Sequence, residues 1–204
     1  MKTIRKGPEP IQLTQRRLAD HTDYEGFPKL RQQLIKDQRA LCCYCLGRIR
    51  DEWRGMRIEH WQAQTSNPSE RLVYSNLLAA CYGSEGSAES HCDVARGSKE
   101  LSRNPANPDH RIEDLIHYQG NGLMTTSDSK LNEDLETLNL NCAFLQHSRK
   151  QTLTALQMAL GKRKLKKKEL RKLLAIWNGD RDSGELKPYC MIVVYWLKKR
   201  LNRV

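Results

Sequence analysis

Four cysteines constrain what this chain can fold into more than any other feature. Cys42 and Cys45 form a Cys-x-x-Cys knuckle, and Cys81 and Cys92 follow, separated by a segment rich in Gly and Ser at 83–88. Two sulfurs on one tight turn, met by two more from downstream, are a donor set for tetrahedral zinc. Cys43 is not expected to ligate, because Cys43-Tyr44-Cys45 is the tighter and rarer spacing. The second pair is irregular, but its Gly/Ser-rich segment can bulge out and return Cys92 to the metal. The chain has seven cysteines. No apolar run follows the basic Met1–Lys6 start, so an export signal and a disulfide framework are not expected, and a cytoplasmic setting is. In that setting paired cysteines read as metal ligands. Cys142 and Cys190 stand alone and read as small core residues.

Charge narrows the partners. The net charge is +11 over 204 residues, and it is unevenly spread. Residues 1–50 carry 11 basic against 5 acidic groups, and 151–204 carry 14 against 4; the stretch 51–100 carries 5 against 8, and 101–150 carries 5 against 7. Basic ends gather polyanions, and an acidic middle suits a divalent cation. The pattern points to a nucleic-acid enzyme. No apolar run approaches membrane-spanning length, so no membrane partner is expected. No Gly-x-x-x-x-Gly-Lys loop is present, so the chain is not expected to hydrolyse ATP alone.

Periodicity predicts an arm over 1–27 and a helix from Pro28 through about residue 41, with Leu30, Leu34 and Ile35 on its apolar side. A short hairpin is expected over 46–60, a loop over 61–72 and a flexible excursion over 82–90. A helix start is expected at 93–101, with Asp93 near its N-terminus. Asn104–Asp109, with Pro105 and Pro108, reads as a linker. Beyond it, a strand or two is expected over 111–126, around Ile112–Ile116, and helix over 132–178. Residues 186–202 read as a last helix, although Val193–Trp196 reads equally well as strand. No internal repeat is found.

Glu59-His60 ends a predicted strand inside the cysteine bracket. A carboxylate binds a hard cation such as Mg²⁺, and a neutral imidazole takes a proton from water. Lys162, Arg163, Lys164, Lys166, Lys167 and Lys168 form a basic run that reads as a phosphate-tracking surface or as a solvated helix face. His21, His110, His117 and His147 have no partner pattern and read as surface or structural residues.

In order, the chain shows a cysteine pair, Glu59-His60, Tyr74-Ser75-Asn76-Leu77-Leu78, Cys81, His91-Cys92-Asp93 and Arg96-Gly97. This set resembles the His-Asn-His (HNH) endonucleases of the ββα-metal fold, and more narrowly the HNH subunit of Septu anti-phage systems and retron-linked relatives. The resemblance covers about residues 28–103. It implies an α+β fold with a zinc-stapled ββα-metal core (28–103), carrying a helical, basic C-terminal extension (104–204) for nucleic acid or a partner. It implies His60 as general base, Glu59 on a catalytic Mg²⁺ or Mn²⁺, and Asn76 bracing the loop that carries the base. Glu59 departs from the usual Asp. The last site position is open between Asp93, as a metal ligand, and His91; Asp93 also reads as a helix cap, and His91 as a donor beside the zinc. Arg96 matches the family's Lys-Gly turn and is expected to reach a phosphate. Implied partners are DNA and an ABC/SMC-like ATPase, and the expected products carry 5′-phosphate and 3′-hydroxyl ends. The competing readings are a non-catalytic zinc-bearing DNA-binding module, an RNase, and a scaffold that only docks the ATPase.

Overall fold

A computed structural model describes residues 1–19, 27–180 and 184–203; His21 lies outside the described residues. The elements run α1 (Ile11–Leu18), α2 (Pro28–Asp37), β1 (Arg57–His60), β2 (Leu77–Ala80), α3 (Asp93–Arg96), α4 (Ile112–Leu115), β3 (His117–Tyr118), β4 (Met124–Thr125), α5 (Ser129–Thr137), α6 (Ala143–Leu160), α7 (Lys167–Asn178) and α8 (Cys190–Leu201).

Helix α2 begins where Pro28 supplies a preset φ at the first helical turn, and it buries Leu30 and Leu34 four residues apart. It delivers the chain to the Cys42 knuckle, which an antiparallel bridge between Leu41 and Arg48 closes. Strands β1 and β2 pair antiparallel, with Ile58 opposite Ala79, Glu59 opposite Leu78 and His60 opposite Leu77. The partner of β1 therefore lies across the 61–76 segment and not within 46–60, as the sequence suggested. The small Ala79 lets neighbouring groups cover the free edge of β2. Gln38 brackets it, accepting from the Ala79 amide at 2.7 Å and donating to the Ala79 carbonyl at 2.7 Å. The Cys43 amide donates to that same carbonyl at 3.0 Å. A covered edge cannot pair with another chain.

Three sequence expectations change. The N-terminal stretch is not a free arm. Met1, Ile4 and Leu13 are buried, Ile4 donates its amide to the Pro105 carbonyl at 2.8 Å, and Lys6 reaches the Leu77 carbonyl at 2.6 Å. Residues 112–115 form a helical turn instead of strand, followed by a small β3–β4 hairpin. The long helical region is three helices, broken at 138–142 and 161–166, and 190–201 is helix.

The C-terminal helices are fastened to the region of the four cysteines from two directions. The Cys92 amide donates to the Leu138 carbonyl at 2.8 Å, and Asn139 donates to the Ser90 carbonyl at 2.9 Å. The Tyr189 amide donates to the Leu46 carbonyl at 2.9 Å, and Arg39 donates to the carbonyls of Gly179 and Gly184. One buried apolar cluster runs from Met1 through Leu77 and Leu145 to Leu197. Buried residues on both sides of 103–104 belong to that cluster. No helix among the described residues is long and apolar enough to cross a membrane.

Candidate metal clamp and active site

The sulfurs of Cys42, Cys45, Cys81 and Cys92 all lie within 4.8 Å of one another. The Cys42–Cys92 separation is 3.9 Å and the Cys45–Cys81 separation is 3.7 Å. A zinc ion with Zn–S bonds of about 2.3 Å sets its tetrahedral S–S edges at about 3.8 Å. The donor set and its spacing fit such an ion. Backbone amides from Gly47 and Cys81 point at Cys45 and Cys42 sulfurs, at 3.3 and 3.4 Å, and would share the charge of the thiolates. The Cys43 sulfur is not part of the quartet; burial holds its thiol protonated, with its pKa pushed well up. The irregular Cys81–Cys92 gap closes at Gly83, which has φ +55° and accepts the His91 amide at 2.8 Å. A Cβ at Gly83 would meet the His91 carbonyl oxygen at 2.0 Å, so only glycine permits this return. Cys92 itself sits at φ +58° as it hands the chain to α3.

His60 is buried at the end of β1. Its Nε2 lies 3.0 Å from the Arg71 carbonyl, which can only accept, so Nε2 carries the proton. Nδ1 is then the acceptor, and the Gln64 amide meets it at 3.1 Å. Burial, the largest influence, holds the imidazole pKa below its ordinary value and favours the neutral ring.

The Asn76 side chain closes the segment that follows His60. Its Oδ1 accepts from the Gln62 amide at 2.7 Å, and its Nδ2 donates to the carbonyls of Gln62 (3.1 Å) and Glu70 (3.0 Å). We expect Asn76→Ala to cost about 2–3 kcal/mol, because it leaves three backbone groups without their partner. Urea denaturation of the purified variant checks this.

Glu59, on the other face of β1, is buried with Tyr44 donating to it at 2.8 Å. Its pKa is raised to about 8; burial is the main cause, followed by the hydrogen bond and negative charge of Asp93, which outweigh Arg96 and Tyr44. Two carboxyls this close hold either a shared proton or a cation between them. Asp93, first residue of α3, also pairs with Arg57 at 3.1 Å, and Arg57 reaches Glu85 at 3.2 Å.

One expected role is displaced, that of Arg96, and one open choice narrows, that of His91. Arg96 is 2 % exposed and does not present its guanidinium to solvent. It donates to Glu59, to the Tyr44 hydroxyl at 3.2 Å, and to the carbonyls of His60 (2.9 Å), Trp61 and Lys99 (2.8 Å). His91 faces the clamp and not the carboxylates. Its Nδ1 lies 3.1 Å from the Cys92 sulfur, and its ring stacks on Phe144 with centroids 6.0 Å apart. Tyr44 and Arg57, which share the site, were missed. The only signal for Tyr44 was its place inside the knuckle, and none marked Arg57. Lys162, Arg163, Lys164, Lys166, Lys167 and Lys168 are all exposed, on the connector before α7 and its first turn. His110, His117 and His147 lie outside both clusters: the His110 ring accepts from the Asn104 amide, and His117 and His147 are exposed.

The fold class is now defined: an α+β chain with a strand, an antiparallel partner strand and a helical turn around a four-cysteine clamp, consistent with the ββα-metal arrangement. No family model matches the chain. It is 25% identical over 194 residues to a protein named as an HNH endonuclease of retron Ec83 from Escherichia coli, the match covering 74% of each chain. It is 28% identical over 83 residues to the Septu protein PtuB of Bacillus thuringiensis, covering 41% of this chain and 32% of the relative. The chain thus spans about a third of PtuB. These similarities support an HNH endonuclease of the Septu type.

Proposed function

We propose that this chain is the nuclease subunit of an anti-phage defence complex and hydrolyses DNA phosphodiester bonds at the Glu59–His60–Asp93 cluster. The observation that carries the reading is the His60 ring. A backbone carbonyl holds its proton on Nε2 and burial keeps it neutral, so Nδ1 is the basic nitrogen. Nδ1 takes a proton from water as the water oxygen bonds to phosphorus; the bond from phosphorus to O3′ breaks and the leaving O3′ takes a proton from solvent water, giving 5′-phosphate and 3′-hydroxyl ends. Asn76 keeps the 61–70 segment closed against the strand that carries the base. Glu59 and Asp93 would hold a Mg²⁺ or Mn²⁺ ion; their oxygen donors suit such a hard cation. That ion would stabilise charge developing on the phosphate and the leaving oxygen. A zinc held by the four cysteines would have no open coordination position and would belong to the scaffold. Lys162, Arg163, Lys164, Lys166, Lys167 and Lys168 would contact the DNA backbone. An ABC/SMC-like ATPase would be the partner that controls the reaction in the cytoplasm.

The test is cleavage of plasmid DNA, with an RNA substrate in parallel, with Mg²⁺ or Mn²⁺ and with and without a co-purified ATPase. His60→Ala is expected to lower the rate by about 10²–10⁴-fold while zinc content and folding persist. Unchanged cleavage by that variant sinks the mechanism.

A further inference from the structure

Helices α6, α7 and α8 pack together, α8 against both of the others. Their directions follow from what holds their ends. Helix α6 starts at the clamp, where Phe144 stacks on His91 and donates its amide to the Glu89 carboxylate. Helix α8 also starts there, one residue after Tyr189 donates to Leu46. Helix α7 runs the opposite way and ends beside the knuckle, where Gly179 accepts from Arg39 and Asn178 from Lys2. The far pole of the bundle therefore collects the end of α6, the 161–166 connector, the start of α7 and the end of α8.

That pole is strongly cationic. The basic residues of the 162–168 run are exposed, and Arg200 at the end of α8 and Arg203 just after it join them. Lys164, Arg200 and Arg203 rim one depression floored by Leu165 and Leu170. Glu169, paired with Arg163 at 2.9 Å, is the one acidic residue from 160 to 178. Lys167 and Lys168 occupy the first turn of α7, where the helix dipole favours anions and disfavours cations. Like charges crowded against that dipole cost stability, and a polyanion laid across them relieves the cost. The 18 residues of α6 set the pole about 27 Å from the clamp. In B-form DNA that distance spans about 8 base pairs.

We propose that this pole, made by the 162–168 run together with Arg200 and Arg203, is an exosite for the phosphate backbone of a DNA duplex whose distant part lies at the catalytic cluster. The proposal rests on the nuclease reading for the second half of that statement, and the binding experiment below does not depend on cleavage. In a His60→Ala background, fluorescence anisotropy compares a hairpin duplex of about 6 base pairs with a duplex of about 24. Adding Lys164→Ala, Arg200→Ala and Arg203→Ala is expected to weaken the long duplex at least about tenfold. It should also make the slope of log K against log salt shallower by about 2.7. The short hairpin, unable to reach both sites, should bind as before. All three side chains are exposed, and far-ultraviolet circular dichroism verifies that the helices remain. Lys162→Ala with Lys168→Ala should give the same pattern. Unchanged affinity for the long duplex overturns the exosite, as does an equal loss on the short hairpin; a pole built for an acidic protein or an anionic membrane gives the first of these. If the parent chain with His60 intact cleaves nothing while the binding pattern holds, the nuclease reading fails and the exosite stands.

Discussion

Cys42→Ser is expected to abolish binding of the zinc ion that the quartet fits and to unfold the ββα core. Cys42 is fully buried, and its sulfur stands 3.9 Å from that of Cys92 and accepts from the Cys81 amide. The clamp joins three separate pieces of chain: the knuckle before β1, the exit of β2 and the entry to α3. What it holds is weak alone. Strands β1 and β2 have four residues each, and an isolated two-stranded hairpin is marginal in water. Helix α3 is a single turn, too short to form unaided. Zinc binding to small structural sites contributes about 10–16 kcal/mol, which exceeds the whole stability of most domains. Elemental analysis should find about one zinc per chain in the parent and none in Cys42→Ser, and a strong chelator should reproduce the loss of near-ultraviolet dichroism. Cys43→Ala is the control. Cys43 is equally buried but lies outside the quartet, so that variant should keep its zinc.

The quartet was legible in the sequence because its evidence is local. Cys42 and Cys45 sit on one turn, and the Gly/Ser-rich segment announces a loop able to return Cys92. The same holds for the strand that ends at Glu59-His60 and for the helix start at Asp93, whereas β2 was not foreseen, because the hairpin was expected within 46–60. What escaped the sequence depends on contacts between distant segments. The N-terminal stretch looked like an arm because it is basic and carries prolines, yet Lys6 and Arg17 are spent on the Leu77 and Leu72 carbonyls. Strand was expected over 111–126 around Ile112–Ile116; the two short strands fall within that stretch, but 112–115 around the first isoleucine is a helical turn. The apparent boundary at Asn104–Asp109 is a real proline-bearing loop, but Asp134 ties the residues before it to α5 by accepting from the Ser102 and Arg103 amides. His91 and Asp93 stand two residues apart, and nothing in a sequence tells which faces sulfur and which faces Glu59. The Cys92 conformation, at positive φ, turns them to opposite clusters.

Arg96 is the sharpest such case, and it yields the second large effect. An arginine before a glycine reads as a phosphate contact, whereas here its guanidinium is spent inside the protein. It answers the Glu59 carboxylate and three carbonyls, two of them on the consecutive residues His60 and Trp61. Arg96→Leu leaves a buried carboxyl with Tyr44 as its remaining donor among those contacts and strips the carbonyls at the end of β1. Breaking a buried pair from one side costs about 3–5 kcal/mol. The backbone that aims His60 loosens as well, so the variant should lose cleavage even at temperatures where it stays folded. Arg96→Lys keeps the charge but not the planar fork, and one ammonium cannot serve four acceptors spread over β1 and the end of α3. It should recover less than half of the lost stability. Urea denaturation at neutral pH measures both variants. A surface phosphate contact would behave in the opposite way: Arg96→Leu would then bind DNA more weakly and unfold at the same urea concentration as the parent. That result would return Arg96 to the substrate and remove it from the scaffold of the site.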